Sequence, residues 1–319
     1  MGFGDVLDGS IFLQCMGIFR HITVAPRDIW CAGSLFDKWA NAVNSDDPSP
    51  QSELIKIDRI EKLIDLRGLR VLPTGNNCEG LVTACQRLSR IGDEIVEQLV
   101  EWTKMLPFYA ELPVEVHTHL LTQRWAQLVL LSACFYSCSS TTMINDEAVV
   151  STTMVDGNEE VVCKVSLLDS SVNIRLLQKR LSAVMGRTIP LEHVIKEAGP
   201  LVEKFTALLH SFSKMKITTE AYVCIKAITL LHYNHNLGSS SVDESVFTRK
   251  VTRIQDQFVK ALQIHLIQNE GTTRLSDILT WLPMLQSASS VLLHSKMFYV
   301  PFLICKNPHR FVGQDERLQ

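Results

Sequence analysis

Residues 88–137 constrain this chain more than any other stretch, because they read as two helices joined by a proline-punctuated turn. In the first half, Leu88, Ile91, Ile95, Leu99 and Trp102 step by three and four, which places them on one face of a helix. Pro107 and Pro113 then bracket Phe108, Tyr109 and Leu112. Pro113 suits the first turn of a second helix, where a missing N–H deprives nothing of a partner. From Leu120 to Phe135 that helix is apolar on most sides, so it is predicted to be buried all round.

The composition allows a core of the size such a helix needs. At 319 residues the chain fits one large domain with a ragged end or two small ones, and 46% of it is hydrophobic. The net charge of −3 lacks the electrostatic footprint of a whole nucleic-acid-binding protein. There is no run of about eighteen uncharged apolar residues, so no membrane span is expected. The longest apolar run, 125–136, follows Arg124 and reads as a core helix. Nine cysteines are scattered through the chain without a C-x-x-C pair. That pattern reads as buried, reduced thiols in a cytosolic or nuclear protein.

Taken in order, residues 1–50 hold apolar pieces at 11–19 and 29–39 with no clean period. Asp5 and Asp8 and the lack of a basic start argue against a secretory signal. Residues 44–52, NSDDPSPQS, have the composition of a linker. A helix is predicted over 53–66, with Leu54, Ile57, Ile60 or Glu61, and Ile64 inward, followed by a loop through Gly68, Pro73, Gly75, Asn76 and Asn77. Two β-branched runs, 148–155 and 160–167, flank Asp156-Gly157-Asn158 and predict a hairpin. Helices resume over 174–185, with Gly186 as C-cap, and over 191–212, where Gly199-Pro200 should break or kink the helix. A buried helix is expected over 219–232. Another is expected over 243–268, with Val246, Val251 or Ile254, Phe258, Leu262 and Leu266 on one face. Residues 273–304 close the fold, and no internal repeat stands out.

Little here suggests chemistry. His117 and His119 point to different faces of a helix, and His232 and His235 have no third ligand nearby in sequence, so ordinary polar histidines are expected rather than a metal site. There is no G-x-S-x-G, no phosphate-cradling glycine loop and no H-E-x-x-H. No enzyme and no cofactor are expected. Helices packed around a hairpin can instead enclose an apolar cavity, the usual place for a small ligand.

The order Glu101-Trp102-Thr103-Lys104, Pro107-Phe108, Leu112-Pro113, Leu120-Leu121 and then Trp125 ahead of the buried helix resembles the signature of nuclear receptor ligand-binding domains. The resemblance runs from about Gln51 to Cys305 and is nearest the group of retinoid X receptors, testicular receptors and hepatocyte nuclear factor four. It implies an all-α, three-layer antiparallel helical sandwich with one small β-hairpin beside the ligand cavity. On that reading 1–50 is a poorly ordered segment and linker, 51–306 the ligand-binding domain and 307–319 a C-terminal tail.

The resemblance also implies sites. Leu88, Ile91, Ile95 and Leu99 would wall the cavity from one helix, Trp125, Val129, Ala133 and Tyr136 from the buried helix, and Leu292 from the last; the alternative is that these residues form a filled core. Tyr136 stands where retinoid X and hepatocyte nuclear factor relatives carry an arginine for an acidic lipid, so a neutral or weakly polar ligand is expected. Val100, Lys104, Thr118, Leu121 and Thr122 would form the groove for a Leu-x-x-Leu-Leu coregulator peptide. Thr122 replaces a basic residue common there. Glu220 and Arg274 would form a partly buried ion pair, and Leu279, Leu282, Pro283 and Gln286 a face for homo- or heterodimerisation with another nuclear receptor. The cysteine pattern lacks the zinc module that reads DNA in the family, so this chain would not contact DNA. Residues 306–319 do not match the family's activation helix. The implied role is a transcription regulator of the nucleus, with the cytoplasm also open, that binds a lipophilic small molecule and coregulator peptides. The alternative is a ligand-independent dimerisation or corepressor-binding module.

Overall fold

The apolar run after Pro113 becomes the axis of the molecule, a helix that other helices cover on several sides. In the computed structural model, residues 50–58, 86, 88, 90–142, 168–232, 242–269 and 273–305 are described. Their helices, in chain order, are α1 (Pro50–Ile57), α2 (Ile91–Lys104), a 3-10 turn (Tyr109–Glu111), α3 (Val114–Thr142), α4 (Ser170–Met185), α5 (Leu191–Met215), α6 (Thr219–Leu231), α7 (Val242–Asn269), α8 (Thr273–Ser295) and α9 (Val300–Cys305). α3 touches α2, α5, α6, α8 and α9. α5 pairs with α8 and α4, and α6 pairs with α7 and carries α1. The result is the all-helical, three-layer arrangement, with no strand among the described residues.

Burial follows the apolar pattern. Every residue from Leu128 to Phe135 is buried, as are Ile91, Ile95 and Leu99 on α2. The buried charge on α3, Arg124, donates from Nε to the His232 carbonyl at 2.9 Å, so it caps the C-terminal end of α6. α4 starts on an Asp169 cap, whose carboxylate accepts from the Ser171 N–H at 2.8 Å. It ends at Gly186, in the left-handed conformation (φ 65°) that glycine adopts without a Cβ clash. Across the α5–α8 contact the Trp281 indole donates to the Leu208 carbonyl at 3.1 Å.

Several expectations are corrected. Of the helix expected over 53–66, the described part is α1, which spans Pro50–Ile57 and is followed by Asp58, whose carboxylate turns toward α6; residues 59–66 lie outside the described residues. Pro200 does not break α5, which runs on to Met215. Pro200 and Lys196, whose carbonyl loses its helical partner, both face water, which satisfies that oxygen. Val246 is exposed rather than on the inner face of α7, which Val251, Ile254, Phe258, Leu262 and Leu266 form. The closing segment is two helices, α8 and α9. Lys296 takes a left-handed conformation (φ 55°) after α8 and turns the chain into α9. The expected hairpin, the segment 1–49 and the tail 306–319 lie outside the described residues. Among the described residues, no helix is long and apolar enough to cross a membrane.

Candidate functional site

A groove forms where α2 ends and α3 begins. It is lined by Val100, Thr103, Lys104, Tyr109, Val114, His117, Thr118 and Leu121. Val100 and Lys104 are one turn apart on α2, while Val114, Thr118 and Leu121 step by four and three along α3, so each helix offers one face. Four of the five residues expected at a peptide groove therefore meet in one place. Thr122 lies off the lining and returns its hydroxyl to the Thr118 carbonyl at 2.7 Å. The missed lining residues had a signal: Val114 and His117 fall on the same helical spacing as Leu121.

Lys104 stands at the groove edge, its ammonium 2.7 Å from the Glu101 carboxylate. Both side chains reach solvent, so this pair holds the lysine only weakly. His117 forms the floor. Its Nε2 lies 2.9 Å from the Tyr109 carbonyl and its ring stacks on the Tyr109 ring with centroids 4.4 Å apart. Burial lowers the His117 pKa below its ordinary 6.5, and the bond to the Tyr109 carbonyl opposes that shift. Burial likewise raises the Tyr109 phenol, Lys104 pulls it back, and Glu101 adds to the rise. His119 contacts Gln123 instead, and no cluster of three metal-ligating side chains is found among the described residues.

The expected cavity wall lies inside the molecule. Leu88, Ile91, Ile95, Leu99, Trp125, Val129, Ala133 and Leu292 are buried, and Tyr136 is half-buried against the same core. Phe298 and Cys305 pack onto part of this wall. The Phe298 ring meets Trp125 edge-on with centroids 5.0 Å apart and lies 3.7 Å from where a Cβ on Gly92 would be. Cys305 directs its thiol to the Ala133 carbonyl at 3.7 Å.

Arg274, expected to pair with Glu220, donates to the Met215 carbonyl at the end of α5. Ion pairs among the described residues join Lys104 to Glu101 and Lys226 to Asp58. The second is a buried tie between α6 and the residue that follows α1. Lys226 Nζ lies 2.8 Å from Asp58 Oδ1 and 4.4 Å from the centroid of the Trp102 ring. On α8, Leu279, Pro283 and Gln286 are exposed and Leu282 is half-buried, so the expected dimer face is presented to solvent.

The model of the ligand-binding domain of nuclear hormone receptors matches residues 84–299, and the chain belongs to that family. It is 60% identical over 263 residues to the nuclear hormone receptor family member nhr-91 of Caenorhabditis elegans, covering 82% of this chain and 53% of that relative. It is 31% identical over 248 residues to hormone receptor 4 of Drosophila melanogaster (69% of this chain, 15% of the relative). It is 25% identical over 217 residues to nuclear receptor subfamily 6 group A member 1 of Homo sapiens (68% and 37%). The chain thus spans about half the length of the worm relative and less of the other two.

Proposed function

We propose that this chain is the regulatory domain of a nuclear transcription regulator and that its groove binds a short helical coregulator peptide of Leu-x-x-Leu-Leu pattern. The observation that carries this is the convergence of Val100, Thr118 and Leu121 beside Lys104 in one groove. Apolar residues there accept leucines one helical turn apart. The ammonium of Lys104 meets the C-terminal carbonyls of the peptide helix, where partial negative charge collects. The exposed side of α8 at Leu279, Pro283 and Gln286 serves dimerisation with a second receptor domain.

The test is peptide affinity by fluorescence anisotropy for the native chain and Lys104→Ala. Losing a cation at a helix C-terminus costs about 0.3–1 kcal/mol, roughly two- to fivefold in Kd. Thermal stability should not move, because Lys104 reaches solvent and its pair with Glu101 is a surface one. Unchanged affinity in the folded variant would remove Lys104 from this role.

A second reading keeps a lipophilic small molecule in the interior. The apolar wall from Ile91 to Leu99 and from Trp125 to Ala133 supports it. The half-buried Tyr136, a neutral hydrogen-bonding group, favours a neutral or weakly polar ligand.

A further inference from the structure

The six residues of α9 are all buried, with Val300, Phe302 and Leu303 at 0% exposure. A helix this short is not stable by itself in water, so its shape here comes from what encloses it. α9 packs against α3, α4 and α5. Its entry is built into the chain. Lys296 turns left-handed (φ 55°), its N–H bonds the Leu292 carbonyl at 3.2 Å, and the Met297 N–H bonds the Ser295 hydroxyl at 3.3 Å.

A helix ends with carbonyls that have no intrahelical partner, and in an apolar interior each unsatisfied one is costly. Arg180 on α4 meets this need. Its Nη1 donates to the Leu303 carbonyl and, at 2.9 Å, to the Ile304 carbonyl. The guanidinium charge also opposes the negative end of the short helix. At the same end, the Cys305 thiol reaches the Ala133 carbonyl on the buried wall. At the other end, Phe298 covers Trp125.

We infer that segment 297–305 is the resident occupant of the domain's interior, and that Arg180 is the latch that keeps it there. An apolar molecule then reaches the wall of Trp125 and Ala133 only after the segment leaves, and release of the Arg180 contacts is the step that permits it. The inference rests on the interior wall of the ligand-binding fold and not on the peptide groove, so a failed peptide assay leaves it intact.

The test is hydrogen exchange on the full chain for the native protein, Arg180→Met and Arg180→Lys. A hydrogen bond from a charged donor is worth enough that its loss should speed exchange across 297–305 about tenfold or more in Arg180→Met. α5 and α6 should keep their protection, and Arg180→Lys, which keeps the charge but loses the fork, should fall between. Unchanged exchange in the segment, or protection lost equally in α3, α5 and α9, overturns the latch. Phe302→Ala, with Arg180 intact, tests occupancy separately. Benzene should raise the Tm of that variant and not of the native chain, because an apolar cavity takes an apolar guest. No response of Phe302→Ala to benzene overturns the assignment of 297–305 as a space-filling occupant.

Discussion

Removing Asp58 should destabilise the domain far more than an average charge deletion. The Lys226 and Asp58 side chains retain 1% and 4% of their exposure, and their charged atoms lie 2.8 Å apart. Asp58→Ala leaves an ammonium enclosed by Trp102 and Tyr222, whose ring centroids stand 4.4 and 5.8 Å from it. Each face supplies some attraction, but neither replaces a carboxylate. Breaking a buried pair from one side costs about 3–5 kcal/mol. For a domain of this size that lowers Tm by about 6–20 °C. Lys226→Met strands the carboxylate instead and should cost a similar amount. The double variant Asp58→Ala/Lys226→Met removes both charges and should recover most of the loss, because an apolar replacement of a buried pair is often neutral. The assay is urea denaturation followed by far-ultraviolet circular dichroism, with the four proteins forming a double-mutant cycle. A cost below about 1 kcal/mol for Asp58→Ala would place the pair with surface salt bridges and refute the reasoning. Additive losses in the double variant would show that the two charges are not coupled.

Two further outcomes follow from the buried titratable groups. His117 has its pKa lowered from 6.5 by burial, so the unfolded chain takes up a proton first as pH falls. The stability this group confers is full above the unfolded value and is lost as pH drops from there through the folded value. Urea midpoints measured from pH 7.5 to 5 should fall less steeply in His117→Gln than in the native chain, and parallel curves would contradict this. Burial pushes Cys138 up to about 11, Cys224 and Cys305 up to about 12, and Cys134 well up. These four thiols should resist iodoacetamide at pH 7.5 in the native chain and react once it is unfolded, as read by peptide mass mapping. Modification of the folded chain at the unfolded rate would contradict that.

The groove was legible because it is local. Residues from Val100 to Leu121 build it, and helical spacing on two neighbouring segments decides which of them share a face. The burial of α3 was legible for the same reason, since a helix apolar on every side has nowhere else to sit. The interior ties were not. Lys226 meets Asp58 across 168 positions, and Arg180 meets Leu303 and Ile304 across 123 and 124. No periodicity links residues so far apart. Pro200 does not end α5 because it and Lys196, whose carbonyl loses its helical partner, lie on the exposed side, where water replaces the lost bond. The break at Lys296 was hidden because a left-handed residue is normally announced by glycine or asparagine, and a lysine gives no such sign.

The most direct measurement is native mass spectrometry of the purified chain with one equivalent of a Leu-x-x-Leu-Leu peptide and no added small molecule. The result expected is a complex whose mass is that of the polypeptide plus one peptide, formed by the native chain and depleted in Lys104→Ala, because the groove is lined by the chain alone and its interior is occupied by 297–305. A chain that binds no peptide, or that binds it only when a co-purified small molecule is present at equal stoichiometry, would contradict the reading.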